Sequence, residues 1–430
     1  MLNYHGCFTH QANKLGEWQL ACILSNCMMG VSIVAMPQCF RNTGILFSTL
    51  LLFKRILKVQ SYDAIAGALL GKQVRLFVQS CVCLMLIGLV IAYQTAIRSL
   101  LVKIFMANSI LNSTDHDLMI VHGKNDIDQK KYMMPNIGGS LSLCILTVLI
   151  AFPLSLSSGA DRLGCISYCA IILYGLLAIF ICLHSTVNIF SRHLQIAQNV
   201  SIWCWEGMTT SLPIFLLGMC CHPWVVSTLD TSTSKYQRVQ GEQIIDKAII
   251  LTASLYWIAG VFGCLGFEGS LVPGDYLFVL DKRSTKGIVE LIFIVTCLLS
   301  IPLLLHPCRI LICSKLSPQI QNVLPLQSKL EKTPLSNTPV YVTAVLLIIT
   351  TSTALLSQSI EKILCIVGSI LSSFIALIFP AMFSIAIQYN DDGYNNYTFF
   401  KVKHYKVSII DAGMLINGCI LIFIPIREFL

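Results

Sequence analysis

The sequence predicts an all-α polytopic membrane protein with about 11 transmembrane helices, and three observations carry that expectation. Of 430 residues, 55% are hydrophobic and only 12% are Asp, Glu, Lys or Arg, where an average soluble domain carries about 25% charged residues. Leu and Ile fill long uninterrupted runs, each near the roughly 20 residues a spanning helix needs. Gly, Pro and small polar residues fall inside two of those runs, the first and the sixth. A water-soluble globule could not cover its surface with so few charges. That excludes a soluble enzyme, a disordered regulator and a nucleic-acid binder. The net charge of +8 then reads as Lys and Arg set beside the bilayer rather than as an acidic partner.

Taken in chain order, residues 1–18 form a short polar cytoplasmic segment with Asn3, His5, His10 and Lys14, without the apolar stretch of a signal peptide. Apolar runs place spans near 19–37, 43–59, 76–106, 137–154, 162–184, 206–226, 247–267, 287–308, 339–357, 361–388 and 408–426. The second is short: its clean apolar stretch is Gly44 to Phe53, and Lys54, Arg55 and Lys58 follow at once. A charge at mid-bilayer costs about 2.5–3.5 kcal/mol, so these cations must reach the cytoplasmic interface. The third and tenth runs are long enough to tilt. With the N-terminus cytoplasmic, more than half of the 29 Lys and Arg residues fall on inner segments, the sign that the positive-inside rule requires. The polar stretch 107–136 then lies outside, where the tripeptide Asn112-Ser113-Thr114 offers Asn112 for glycosylation. Asp391-Asp392 beside Gly393 and Tyr394 reads as a solvated turn.

Most of the 19 cysteines lie inside apolar runs and fit no zinc spacing, so they read as small packing residues. There is no HExxH, GxSxG, phosphate-binding lysine loop or GxGD, so catalysis on a bound substrate has no recognisable machinery and movement of a substrate remains. The first span, Ser25 to Pro37, mixes Asn26, Gly30, Ser32 and Pro37 into one apolar helix. Breakers are tolerated in lipid only where freed backbone groups find partners. A break near Gly30–Ser32 would turn amide N–H groups towards an anionic carboxylate and leave carbonyls for a cation, with Asn26 one turn away. A kinked packing helix is the alternative reading. The sixth span repeats the theme with Pro213, Gly218, His222 and Pro223. A matched pair of interrupted helices points to inverted repeats of about 19–184 and 203–388, with an extra helix at about 408–426.

These residues resemble the amino acid/auxin permease superfamily, most closely its sodium-coupled neutral amino acid transporter branch. The resemblance rests on Leu24-Ser25-Asn26 with Gly30, Asn42-Thr43-Gly44, Trp205-Glu206-Gly207 before Leu212-Pro213-Ile214-Phe215, and Cys221-His222. It continues through Gly260-Val261-Phe262-Gly263, Pro302, His306-Pro307-Cys308-Arg309, and Gly368-Ser369 with Phe379-Pro380. It implies a leucine-transporter-like 5+5 inverted repeat with broken helices 1 and 6, one transporter domain over 19–426, and transport of neutral amino acids by alternating access. It further implies a sodium site at Asn26 with Ser300 or Thr296, and no other cofactor. Gly30, Val31, Ser32, Phe215 and Gly218 would line the substrate site, and His222 is the candidate proton sensor. Val31 and Ser32 depart from the branch's Gly-Ser-Gly break, Ser227 stands where relatives carry proline, no outer-loop cysteine pair is present, and the second span is about a dozen residues short. Proton coupling and a transport-poor amino acid sensor are the rival readings. The oligomeric state, and the choice between plasma membrane and endomembrane, stay open.

Overall fold

Every regular element among the described residues is a helix. The structure is a computed structural model that describes residues 16–46, 48–49, 71–112, 137–156, 160–191, 203–205, 207–221, 237–266, 283–323, 338–357, 360–391 and 409–429. The first span is two helices, Glu17–Met28 and Ser32–Thr43, bent by 63° at the break between them. Met29 leaves the helical region for extended backbone. Gly30 follows at φ +120°, a conformation that only glycine adopts without cost. The interruption expected near Gly30–Ser32 is therefore present, centred on Met29 to Val31.

Keeping the sequence numbering, the third span is Lys72–Asn112, the fifth Ala160–Ser191, the sixth Met208–Gly218 and the seventh Gln237–Leu265. The eighth is Arg283–Val323, the ninth Thr338–Leu356 and the eleventh Ile409–Phe429. The fourth runs from Ile137–Leu146 through a π-helical turn, Thr147–Ala151, into Phe152–Leu156. The tenth runs from Ile360–Ile366 through two π segments, Val367–Ser372 and Phe374–Ile378, into Phe379–Asp391. Seven of these helices are individually long and apolar enough to cross a membrane, and the bent first pair would make eight. The second span lies mostly outside the described residues, with Lys54, Arg55 and Lys58. The third helix continues to Asn112, past the loop expected from 107. Residues 113–136 lie outside the described residues.

Which spans touch follows a rule of five. The first packs on the fifth and the sixth on the tenth; the third meets the tenth as the eighth meets the fifth. The third meets the ninth as the eighth meets the fourth, and third and eighth pack on each other. Adding or subtracting five from each member returns a pair that is also in contact, the mark of a repeated five-helix unit. Close approach depends on small residues: a Cβ on Gly260 would strike the Phe40 ring, and one on Gly368 would sit 2.5 Å from the Pro213 carbonyl oxygen. Outward faces carry exposed apolar side chains, among them Leu149, Ile172, Leu183, Phe190 and Leu356, as lipid contact requires.

Two arginines bond to the ends of neighbouring helices. Arg98 donates through Nη1 to the carbonyls of Ala354 at 3.3 Å and Ser357 at 3.0 Å. It thereby satisfies carbonyls that the ninth span's end leaves without helical partners. Arg309 is buried and donates to the Ser155 carbonyl at 2.6 Å, so it serves the end of the fourth. Its own helix runs on to Val323, so no freed terminal carbonyl lies beside it to cap.

Candidate functional site

The break of the first span and the Gly218 end of the sixth-span helix meet in the interior of the described residues. Asn26, in the last turn before the first break, is fully buried. Its Oδ1 accepts from the Ser300 hydroxyl at 2.8 Å, and its Nδ2 donates to Ser167 Oγ at 3.4 Å. The first, fifth and eighth spans thus share one polar node in an apolar interior, where an unmade hydrogen bond is expensive. Of the two hydroxyls expected to join Asn26, Ser300 does and Thr296 does not. Thr296 Oγ1 donates to the Ile292 carbonyl of its own helix at 2.7 Å. Its contribution to the node is its backbone carbonyl, which accepts from Ser300 at 3.0 Å.

The freed carbonyls of the first break are taken by tyrosine hydroxyls. Tyr93 of the third span donates to the Met29 carbonyl at 3.1 Å, and Tyr256 of the seventh to the Met28 carbonyl at 2.8 Å. Tyr174 of the fifth lies 3.4 Å from Ser300 Oγ. All three rings are essentially fully buried. Gly30 has a second reason to be glycine, because a Cβ there would fall on the Tyr93 hydroxyl. The sequence reading missed these tyrosines. The available signal was their depth: tyrosine in a span belongs at the interface, and each of these lies near mid-span.

On the far side of the break, Val31 and Ser32 are buried and begin the second half-helix. The N–H groups of Ile33 and Val34 turn back to the carbonyls of Gly30 and Val31, each at 3.2 Å. Those of Val31 and Ser32 end on no partner among the described residues. This is the pair of amides at which the helix dipole favours a negative group. Gly218 closes the sixth-span helix directly opposite: a Cβ on it would stand 3.4 Å from the Ser32 Cβ and 3.1 Å from the Tyr256 ring. Phe215 is buried a turn earlier against Phe40, ring centroids 6.2 Å apart, so it packs between the first and sixth spans. His222 lies outside the described residues. Asn112 is the last residue of the third helix.

At the start of the first span, Lys247 pairs with Glu17 and stands 5.2 Å over the Trp18 ring. This joins the first turn of the interrupted helix to the seventh span. Trp203 and Trp205, before the sixth span, pack edge to face at 5.3 Å and are exposed, as anchors at an interface would be.

A multi-pass helical membrane protein whose first span is broken beside a buried polar node has the discontinuous-helix architecture found among transporter folds. The chain belongs to the transmembrane amino acid transporter family, whose profile matches residues 54–424. It is 22% identical over 401 residues to human Solute carrier family 38 member 10, covering 86% of this chain and 32% of the relative. It is 25% identical over 387 residues to Vacuolar amino acid transporter 5 of Schizosaccharomyces pombe, covering 85% of this chain and 83% of the relative. The chain therefore spans about a third of the Solute carrier family 38 relatives and most of the yeast one. Among solved structures, a sodium-coupled sialic acid symporter in a substrate-bound outward-open state aligns with 96% of this chain and 90% of its own, at 12% identity and a TM-score of 0.48.

Proposed function

We propose that the chain is a secondary active transporter of amino acids that works by alternating access, with sodium as the coupling ion. The observation that carries the reading is the 2.8 Å contact between Ser300 Oγ and Asn26 Oδ1 beside the first break. It brings two uncharged oxygens from facing helices to one enclosed point, a ligand set suited to a monovalent cation that must leave as readily as it enters. The substrate carboxylate would meet the Val31 and Ser32 amides at the head of the second half-helix. Ser32 facing Gly218 keeps the space beside the break narrow, and a neutral amino acid such as alanine or glutamine is the proposed cargo. Membership in the family supports the substrate class, and the vacuolar relative makes an endomembrane a candidate compartment beside the plasma membrane.

A second reading, proton coupling, has its own observation. The Met28 and Met29 carbonyls and Asn26 Oδ1 each already accept a hydroxyl proton, so these three oxygens are satisfied without a cation. Radiolabelled alanine and glutamine uptake into proteoliposomes, with sodium and pH gradients imposed separately, decides between the two. Sodium-driven uptake supports the first reading. Uptake that ignores sodium and follows pH replaces it with the second, and substrate binding without uptake makes the protein a sensor.

A further inference from the structure

Tyr256 reaches both the first break and the Gly218 end of the sixth-span helix from a third helix. Its ring is fully buried on the seventh span. Its hydroxyl donates to the Met28 carbonyl at 2.8 Å, and the Gly218 carbonyl lies 3.4 Å away. The first carbonyl ends Glu17–Met28 and the second ends Met208–Gly218. Each helix terminus carries the partial negative charge of its macrodipole. Two such ends facing each other in an apolar interior repel unless a donor lies between them, and here one phenol proton serves both. Tyr93 is the natural contrast: it comes from the third span and donates to the Met29 carbonyl of the first break, with no bond to the sixth-span helix among the described residues.

We propose that Tyr256 is the positioning residue that ties the first break to the Gly218 end of the sixth-span helix, so that the first break does not open unless that helix end moves with it. Tyr93 pins the first break only. This concerns the mechanics of the junction and holds whatever the cargo or coupling ion proves to be.

The chain carries its own reporters. Cys27 lies just before the first break, Cys220 and Cys221 just after the end of the sixth-span helix, and all three are buried. Alkylation of the purified full chain by N-ethylmaleimide, followed at each cysteine by mass spectrometry, reads opening at both places without any transport assay. In Tyr256→Phe, Cys27 and the Cys220/Cys221 pair should react together about tenfold faster than in the wild type, the scale expected when a buried bond to a helix-end carbonyl is lost. In Tyr93→Phe, only Cys27 should speed up. A Tyr256→Phe protein that unmasks one side alone, or neither, overturns the proposal, as does a Tyr93→Phe protein that unmasks both. Cys308, buried on the eighth span, is the internal control for unfolding. If it speeds up too, Gly218→Ala decides, because the added methyl crowds the Tyr256 ring at 3.1 Å and its hydroxyl at 3.2 Å while leaving the phenol in place. Paired unmasking in that variant supports the tie, and any other pattern overturns it.

Discussion

Gly30→Ala is the smallest change that tests the geometry of the first break. Three costs fall on one methyl group. The backbone at φ +120° is strained for any residue with a Cβ, about 1–3 kcal/mol. The Cβ lands on the Tyr93 hydroxyl and ring, and overpacking a filled interior costs about 1–3 kcal/mol. Moving Tyr93 aside breaks its bond to the Met29 carbonyl, leaving a buried acceptor unpaired at about 1–3 kcal/mol. Even the low ends together reach about 3 kcal/mol, near a hundredfold in a folding equilibrium. The assay is the thermal midpoint of the purified protein in detergent, read by monodispersity after heating. Gly30→Ala should lower it sharply. Adding Tyr93→Phe removes the hydroxyl but not the ring or the strained φ, so the double variant should recover only part of the loss. A Gly30→Ala protein with the wild-type midpoint would refute the reasoning, for neither the backbone conformation nor the Tyr93 approach could then be as described.

Other expectations follow from the same contacts. Asn26→Ala should raise the sodium concentration needed for uptake while the protein still reaches its membrane, and Ser300→Ala should do so more mildly because Ser167 and Tyr174 remain nearby; a sodium titration of uptake checks both. Arg309→Met should destabilise by about 1–3 kcal/mol, since the Ser155 carbonyl loses its donor. Arg309→Lys should recover only part of that, lacking the planar fork; detergent thermal midpoints separate the two. Lys247→Gln should cost less than about 1 kcal/mol, and the difference should vanish in high salt, because the pair with Glu17 is partly solvated; melts at two ionic strengths test it.

The spans and the first break were legible because they follow from local chemistry. Apolar length sets a crossing, and Gly30 among Asn26, Ser32 and Pro37 marks a helix that cannot continue. Asn26 was paired with Ser300 or Thr296 through the family resemblance, because residue type alone does not say which spans face each other. The tyrosines were not legible. A tyrosine in an apolar run looks like packing until folding carries its hydroxyl to a carbonyl far away in the chain, as Tyr256 is carried to Met28. Thr296 shows the opposite limit, for a hydroxyl one turn from the right place bonds back to its own helix. The carbonyl partners of Arg98 and Arg309 were not legible either, because sequence shows a charge but not the neighbouring helix end that folding brings to it.

The π segments of the tenth span have a consequence for how the gene can change. In an α-helix, losing one residue swings everything downstream by about 100°, which would turn a span's buried face to lipid. A π turn holds one residue more than an α turn needs, so a deletion there returns the helix to ordinary winding with both flanks still facing as before. Between Val367 and Ile378, the protein therefore has a place where single codons can be lost without scrambling the membrane domain. In the uninterrupted α-helical windings of the third and eighth spans, the same loss rotates every later residue out of register.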